Sequence, residues 1–555
     1  MNLANLGLTG LAAAQNRLQT TGHNINNAAT DGYNRQQVMV ETAGARPTGA
    51  GYIGRGVQSV TVQRAYDNFL FKQLNQSEGQ LASFTTYQTE ITQINNLFAD
   101  RTVGISPALQ KFFDGMNAVA SAPADAAARQ ELLGRASSLV SQLNDTNAFL
   151  NAQRENVNIQ VTTVVTQINS MVERVRDLNT QIVNARSSVS SHEPNDLLDQ
   201  RDQLVRELNQ LVGVNVIEQD GRFNLTIGGG QVLLGGDTVF PLVSKPMDAD
   251  PSRVTVATTL PGPNNTTVVR ELDESRISGG TLGGLLSYRN EALDAVQNDL
   301  GRLATGLAEA FNALHKQGVD LSQAQGTDFF SLPDIQPIPG RDNSGVQLSI
   351  QRSDINKLTA QDYRLNYSTQ GGYTLTTLPG GQPRELSTDE VDALTTGDGL
   401  QVDGLTFKLG APAGDGDSWI IQPTRNAAGL IGLAVSAAEK IAVAAPNTGT
   451  ANGDVGLKLA KLQTDKVLGN GAMSLNEAFS QVVNRVGVLT QKNTTSVNAQ
   501  KTLVQQNYAA QQAFSGVNLN EEYVNLERYQ EQFRAASRLI DVSSTLFDTL
   551  LSLRN

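Results

Sequence analysis

The two ends of the chain carry matching helical patterns, and this feature most limits how the chain can fold. Near the C-terminus, two positions of a heptad repeat hold mostly large side chains. The first position holds Leu526, Phe533, Ile540 and Phe547, and the second holds Tyr529, Ala536, Ser543 and Leu550. Residues 3–28 carry a thinner stripe of small and apolar residues, which includes Ala4, Gly7 and Ile25. Because each buried large apolar side chain contributes about 1.5–3 kcal/mol, we expect the two stripes to pair.

Between the ends, the spacing of apolar residues predicts further helices. One unbroken stripe predicts a long helix over residues 125–186, and a second predicts a helix over residues 197–211. These two helices should form a helical hairpin. The capping-box spacing of Ser474 and Glu477 predicts that helical structure returns later in the chain. The stripe of that helix turns polar after Leu489, so we expect the later part of the helix to be only weakly stable by itself.

Two regions alternate apolar and polar residues in the way that strands do. Around the turn dipeptide Asp220-Gly221, this alternation predicts a β-hairpin within residues 213–278. Residues 335–425 combine short alternating segments with Gly, Asn and Pro, which predicts an inserted all-β domain.

These patterns predict an α+β multidomain protein. Its N- and C-terminal regions should form a long, coiled-coil-like helical bundle that carries an inserted β-rich domain. With 555 residues, the chain is long enough for several domains. The predicted domains are a terminal paired-helix domain of residues 1–40 and 510–555, a mainly helical domain of residues 41–330 and 427–509, and the β domain of residues 335–425.

The charge of the chain argues against two classes of partner. Asp and Glu total 54 against 42 Lys and Arg, which gives a net charge of -12. Such a chain lacks the basic surface that neutralises nucleic-acid phosphates or anionic lipids, so we expect no nucleic-acid and no membrane partner. No basic residue precedes the first apolar stretch, so we expect no cleaved signal peptide. No apolar run reaches the roughly 18 residues that a membrane span needs.

The residue types that commonly carry catalysis or bind metals form no recognisable site. His23, His192 and His315 lie far apart, and the chain has no cysteine. The G-x-G-x-x-G pattern of residues 49–54 is followed by strand-like alternation instead of a helix, which favours a loop over a nucleotide site. We therefore expect no catalytic residue, no metal and no cofactor.

One acidic cluster has a simpler explanation than catalysis. Asp196, Asp199 and Asp202 lie three residues apart on one predicted helix. The same helix carries Arg201 and Arg206, so we expect a solvated face with local ion pairs.

The long apolar stripes instead indicate a protein whose function is association. A stripe that is fully buried only when neighbouring copies contribute helices is typical of a polymer subunit. The alternative is an ordinary bundle, in which one chain buries all of its own stripes.

Both ends of the chain resemble a known family. The segment NINNAATDGYNRQ, residues 24–36, resembles the N-terminal motif of the axial proteins of the bacterial flagellum, which are the rod, hook and hook-associated proteins. The segment SGVNLNEEYVNLERYQ, which begins at Ser515, is similar to their C-terminal motif. Asp31 stands where the family usually has proline, and Asn520 where it usually has aspartate. Three internal stretches resemble the hook-associated members, and they contain Gly104, Asn195 and Asn312.

The resemblance and the heptads together identify two sets of candidate assembly residues. The N-terminal set consists of Asn24, Ile25, Asn27, Thr30, Gly32, Tyr33 and Arg35. The C-terminal set consists of Leu519, Leu526, Tyr529, Phe533, Ile540, Phe547 and Leu550. We expect the bend in the N-terminal motif to persist, because Asp-Gly turns readily.

The resemblance implies a structural, non-enzymatic subunit that polymerises through its terminal helices at the junction between hook and filament. The implied partners are copies of itself, the hook protein, a second junction protein, the filament side of the flagellum and an export chaperone. The chain would leave the cell through the flagellar type III export apparatus and become extracellular, without a cleaved signal peptide. Two alternatives stay open: another axial protein, such as a hook or distal rod protein, and a secreted enzyme on a coiled-coil scaffold.

Overall fold

The computed structural model describes residues 3–49, 51–99, 104–188, 192–261 and 267–553. Its helices are α1 (Leu3–Asn26), α2 (Asn68–Ala99), α3 (Ile105–Ser121), α4 (Ala126–Ser188), α5 (Asn195–Leu211), α6 (Gly280–Tyr288), α7 (Asp294–His315), α8 (Thr388–Thr395), α9 (Ala427–Leu430), α10 (Asp454–Lys461), α11 (Leu475–Ser515) and α12 (Leu519–Ser552). A π-helical turn, Arg289–Leu293, joins α6 to α7. Residues 1–2 and 554–555, which the predicted terminal domain includes, lie outside the described residues.

The strands are short and form several small sheets. They are β1 (Gln36–Thr42), β2 (Ala45–Thr48), β3 (Gly51–Gly54), β4 (Val57–Arg64), β5 (Val214–Gln219), β6 (Arg222–Ile227), β7 (Gln231–Gly235), β8 (Thr238–Val239), β9 (Leu242–Pro246), β10 (Val254–Pro261), β11 (Thr267–Glu271), β12 (Phe330–Ser331), β13 (Ile338–Pro339), β14 (Leu348–Arg352), β15 (Asp362–Ser368), β16 (Gly372–Leu378), β17 (Arg384–Glu385), β18 (Leu400–Val402), β19 (Leu405–Leu409), β20 (Ser418–Ile421) and β21 (Gly432–Leu433). The predicted α+β architecture with long terminal helices is therefore confirmed.

The long helix α4 forms the axis of the helical part of the chain. It runs for 63 residues and returns through α5, which confirms the predicted helical hairpin. Valine and isoleucine residues along α4, such as Val161, Ile168 and Val175, are fully or almost fully buried in one large core. Helices α3, α5, α6, α7 and α10 contribute to the same core, as do strands β6, β7 and β10. This core contains no residue of α1 or α12.

Helices α2 and α11 pack along each other on one side of this core. The Ser474 and Glu477 side chains form the predicted capping box at the start of α11. Beyond Leu489 the contact becomes polar: Asn493 Nδ2 donates to Phe84 O at 2.9 Å, and Gln500 Nε2 donates to Ser77 O at 3.0 Å. The polar part of α11 is thus held by hydrogen bonds to α2, which explains how a helix without an apolar stripe is ordered there.

The β segments follow the turn signals closely. Strands β5 and β6 pair around Asp220 and Gly221, whose φ values of 51° and 75° suit a tight hairpin turn. Sheets β13-β20-β15-β16-β17 and β14-β19-β18 enclose a second core that extends from Ile335 to Ile421. The prediction of an all-β domain was wrong in one respect, because α8 lies within it and begins with a capping box formed by Ser387 and Glu390. The domain boundaries themselves stay a prediction.

A buried cluster of arginines and carboxylates joins the two cores. Asp294 at the start of α7 accepts from Arg154 on α4 at 3.0 Å and from Arg253 at 2.6 Å. Arg425 lies 3.4 Å from Asp294 and also pairs with Asp362 at the start of β15. Burial alone would raise the pKa of Asp294, but the surrounding arginines outweigh it and hold that pKa well below its usual range. The cluster therefore ties the β region to the long helix by charged hydrogen bonds.

His315 has a structural role at the end of α7. Its side chain is fully buried at the end of α7. The ring Nδ1 lies 2.6 Å from Thr327 O, and the ring Nε2 accepts from the Ala442 N–H at 2.8 Å. Nδ1–H therefore donates to Thr327, and the neutral ring satisfies both backbone groups. Burial lowers the pKa of His315, because the charged ring is poorly solvated there.

We expect the stability contributed by His315 to depend on pH. In the unfolded chain the ring gains a proton below a pKa of about 6.5, whereas the folded state resists protonation, so stability is lost as pH falls through that value. Replacing His315→Leu leaves two buried backbone groups unpaired and should cost about 1–3 kcal/mol at pH 7.5. Chemical unfolding measures the difference in the free energy of unfolding between wild type and variant. This difference should be smaller at pH 5.5 than at pH 7.5, by no more than about 1.4 kcal/mol per pH unit. An equal gap at both pH values would contradict this role.

Candidate functional site

Helices α1 and α12 pack against each other, as the stripes predicted, and their contacts show that they run antiparallel. A Cβ atom at Gly7 would lie 2.6 Å from Ile540 Cγ1 and 3.0 Å from Ala536 O, so the glycine permits close approach of the two helices. Nearby, the Ala4 N–H donates to Ser543 Oγ at 3.1 Å. The small residues of the N-terminal stripe therefore allow a tight contact with the C-terminal heptads.

Further along the pair, polar and aromatic contacts replace the small residues. Arg17 Nη1 donates to Gln532 Oε1 at 3.1 Å, and its guanidinium lies 5.3 Å from the centroid of the Tyr529 ring. Such a cation–π contact contributes about 0.5–1 kcal/mol at an exposed site. Of the C-terminal candidates, Leu526, Tyr529, Phe533 and Ile540 are half-buried on this side of α12.

The N-terminal motif forms a turn that redirects the chain from α1 into β1. Thr30 Oγ1 donates to Asn27 Oδ1 at 3.2 Å, and Asn27 Nδ2 donates to His23 O at 3.0 Å. Gly32 has a φ of +78°, and a Cβ atom there would lie 2.9 Å from the Gln203 side chain. The turn therefore requires glycine both for its backbone conformation and for its contact with α5.

Asn24 is the centre of the hydrogen bonds that hold this turn. Its Oδ1 accepts from the Tyr33 hydroxyl at 2.7 Å and from the Gln36 N–H at 2.9 Å. Its Nδ2 donates to Gln36 O at 2.9 Å and to Glu522 Oε2 at 3.2 Å. Burial, assisted by nearby carboxylates, raises the pKa of Tyr33 well above its usual range, so the phenol stays a donor. One buried side chain thus connects α1, the turn, β1 and α12, while Ile25 beside it is half-buried.

Arg35 connects the same turn to the start of α12. Its Nε donates to Glu522 Oε1 at 2.8 Å, and its Nη1 donates to Glu521 Oε2 at 3.0 Å. Its backbone N–H also donates to Ser515 O at the end of α11. The Glu522 side chain is only 2% exposed, so its pairing with Arg35 offsets the cost of burying a carboxylate.

The sequence-based interpretation of the acidic residues on α5 was wrong for two of them. Asp199 and Asp202 are buried, and both accept from Arg64 Nη1, at 2.7 Å and 2.6 Å. Asp199 also accepts from the Asn34 backbone at 2.9 Å and from its side chain at 2.6 Å. Burial raises the pKa of Asp202 to about 6, against the opposing effect of Arg64. These carboxylates anchor the N-terminal turn and β4 to the helical hairpin.

Three C-terminal candidates are exposed. Leu519, at the start of α12, is 41% exposed, and Phe547 and Leu550 are 62% and 65% exposed. The described part of α1 begins at Leu3, close to Ser543, so α12 extends beyond its partner. Intramolecular pairing therefore covers only part of the predicted stripe.

Several polar residues that hold the N-terminal motif in place were not among the predicted site residues. Asn34, Arg64, Asp199 and Glu522 bind the N-terminal motif to α5 and α12. Asn34 and Glu522 lie within the two segments that resemble the family motifs. The three-residue spacing of the aspartates, which places them on one helix face, was the signal for Asp199. In the described ranges, no group of three His, Asp or Glu residues is arranged to hold a metal ion.

Comparison with known proteins gives consistent matches over the whole chain. A family model for the helical domain of the flagellar hook-associated protein FlgK matches residues 91–330. Flagellar hook-associated protein 1 of Salmonella typhimurium strain LT2 is 37% identical, with all of both chains covered. The protein of the same name from Escherichia coli K12 is 34% identical, again over all of both chains.

A solved structure agrees with these sequence matches. The flagellar hook junction protein FlgK from Burkholderia pseudomallei superposes with a TM-score of 0.73 at 28% identity. The match covers 80% of this chain and 100% of that chain.

Proposed function

The chain belongs to the family of flagellar hook-associated protein 1, and from this premise we propose that its copies form the junction between hook and filament by packing their terminal helices together. It is a structural component of the flagellum, as its family is. The observation that carries the proposal is the unpaired apolar surface of α12. The partners proposed at the two ends of the junction are the hook protein on one side, and a second junction protein and the filament on the other.

The exposed surface of α12 has the form of a helix-packing stripe. Leu539, Val542 and Leu546 are 43%, 52% and 49% exposed, and their spacing places them on one helix face. Leu553, directly after the helix, is 78% exposed. Phe547 and Leu550 occupy the two heptad positions that face α1 earlier in the helix, and they lie past the end of α1. Isolated helices with such stripes gain about 1.5–3 kcal/mol for each large side chain that a partner covers. Terminal helices of neighbouring copies would bury this stripe, which explains why it is exposed in a single chain.

The resemblance also supports a route to the site of assembly. We infer that the chain is exported by the flagellar type III apparatus without a cleaved signal peptide and becomes extracellular. No helix in the described ranges has both the length and the apolar character to span a membrane. Before assembly, the exposed stripe of α12 is a suitable binding site for an export chaperone, since amphipathic helices commonly dock in apolar grooves.

This function requires association and no catalysis. We propose that the chain is not an enzyme, because the contacts of the described termini are those of a structural connection. The alternative of a hook or distal rod protein receives no support from the named relatives, which are all hook-associated protein 1.

Immunogold electron microscopy of intact flagella tests the proposal. Antibodies against the chain should place gold particles at the boundary between hook and filament. Label along the hook would favour the alternative axial protein, and label that is absent from flagella would reject the proposal. Flagella from a strain that lacks the gene provide the control for antibody specificity.

A further inference from the structure

We propose that a basic β-hairpin of one subunit docks into an acidic groove on a second copy of this chain. The basic hairpin is defined by strands β2 and β3 with Arg46, Tyr52, Ile53 and Arg55. The acidic groove lies between the N-terminal turn and helices α4 and α5. The inference rests on the proposed function, because only a polymer holds copies side by side, and it identifies a contact separate from the exposed stripe of α12.

The basic hairpin is exposed and carries side chains that are common in protein interfaces. All described residues of β2 and β3 are exposed, and Tyr52 and Ile53 are 80% and 42% exposed. Between Glu41 and Arg64 the chain has two arginines and no acidic residue, although its net charge is -12. Within the described residues, Arg46 and Arg55 form no ion pair. Tyrosine and arginine are among the side chains that most often dominate the energy of protein interfaces.

The acidic groove complements this hairpin in charge and in chemistry. It encloses ≈ 640 Å³ and is lined on one side by the turn and on the other by α4 and α5. Its charged lining residues besides the buried Asp199 are Asp31, Asp177, Asp196, Glu207 and Arg174. Among the described side chains, Asp31 and Glu207 have no cationic partner, so two carboxylates are free to receive arginines.

Aromatic rings lie in the groove beside these carboxylates. His23 and Tyr33 line it, with ring centroids 5.5 Å apart in an edge-on arrangement. A further aromatic ring, such as that of Tyr52, packs favourably against such a pair and contributes about 0.5–1.5 kcal/mol beyond its buried area. The groove thus offers contacts for both the arginines and the tyrosine of the basic hairpin.

The basic hairpin cannot reach the groove of its own chain. Strands β1 and β4 pair from Gln36 and Arg64, beside α5, to Thr42 and Val57, where the hairpin begins. At about 3.3 Å per residue, the seven residues of β1 separate the two surfaces by about 20 Å. The occupant of the groove must therefore come from another molecule. A hairpin and a groove at different places on one chain form a heterologous contact, which extends from copy to copy as a polymer requires.

Cysteine cross-linking in isolated flagella tests this contact, because the native chain has no cysteine. The test variant combines Tyr52→Cys with Glu207→Cys, and each single variant is made as well. A matched control combines Tyr52→Cys with Leu457→Cys. Leu457 lies on α10 and is 57% exposed. Helix α10 packs against Ala120, which is near the end of α3 and close in sequence to the start of α4. Arg174 in the groove lies about 70 Å further along α4.

After mild oxidation, the test variant should give covalent dimers and a ladder of larger multimers, at least tenfold above the control variant. A disulfide requires Cα atoms within about 7 Å, so the ladder reports direct contact. Test chains that enter the flagellum and give no more multimer than the control would overturn the inference alone. Absence of the wild-type chain from purified flagella would overturn the proposed function, and this inference with it.

A charge exchange provides a second test that does not depend on disulfide geometry. Arg46→Glu with Arg55→Glu should lower the amount of chain in purified flagella at least threefold, since like charges would face each other. Adding Asp31→Arg and Glu207→Arg to that variant restores opposite charges and should recover most of the loss. Unchanged incorporation of the first variant, or no recovery in the second, would contradict docking.

Discussion

A chain that ends before Leu526 is expected to fold in its middle and to be missing from the flagellum. Neither core contains a residue of α1 or α12, and the described α12 buries only Glu522, Ala536 and Ser543. Removing the helix from Leu526 onward therefore leaves the cores unchanged but removes the stripe proposed to bind neighbouring copies. Motility should be lost completely, while the melting temperature of the purified truncated protein should stay within a few degrees of the full chain.

A milder variant separates assembly from folding. Phe547→Ala with Leu550→Ala changes two side chains that are 62% and 65% exposed, so the free energy of unfolding should change by less than about 0.5 kcal/mol. If neighbouring copies cover these residues, incorporation measured by immunoblot of purified flagella should still fall at least tenfold. A matched change at an exposed leucine outside the termini, Leu457→Ala, should leave incorporation unchanged. Normal incorporation of the truncated chain would refute assembly through α12.

Replacing Arg64→Ala is expected to cause a large loss of stability. The Arg64 side chain is 10% exposed and binds Asp199 and Asp202, which are 6% and 4% exposed. Without the arginine, two buried carboxylates lose their counter-charge, which typically costs about 3–5 kcal/mol. Chemical unfolding at pH 7.5 measures this loss. Arg55 is an exposed arginine in the same region, and Arg55→Ala should change the free energy of unfolding by less than about 0.5 kcal/mol.

The loss in the Arg64 variant should depend on pH in a defined direction. Burial already raises the pKa of Asp202 to about 6 in the intact protein, and removing Arg64 removes the effect that opposes it. Protonation then neutralises the uncompensated carboxylates as pH falls, so the difference from wild type should be smaller at pH 5 than at pH 7.5. A difference that grows toward low pH would show that the ion pair is not the cause.

Much of the fold could be predicted because its signals are local and periodic. The heptads of α12, the stripe of α4, the Asp220-Gly221 turn and the capping box at Ser474 each depend on residues that are near in sequence. Helix α8 carried the same capping signal at Ser387, but the surrounding turns and alternating segments dominated the interpretation. Local patterns therefore predicted the types of long elements well and were weakest for short elements.

The polar contacts of the candidate site could not be predicted in the same way. Whether Asp199 is solvated or buried depends on Arg64, which lies 135 residues away in sequence, and on the path of the N-terminal turn. Periodicity also does not specify how far a partner helix extends, so the exposure of Phe547 and Leu550 follows only from the position of α1. Both the burial of Asp199 and the exposure of Phe547 and Leu550 depend on contacts between residues that are far apart in sequence.

Deleting the gene in the source bacterium tests the role at the junction most directly, with the cells examined by electron microscopy and flagellin in the medium measured in parallel. A junction protein predicts hooks without filaments and flagellin released into the medium. Reintroducing the gene should restore filaments, and reintroducing the chain truncated before Leu526 should not. Normal filaments on the deletion strain would contradict a role at the junction between hook and filament.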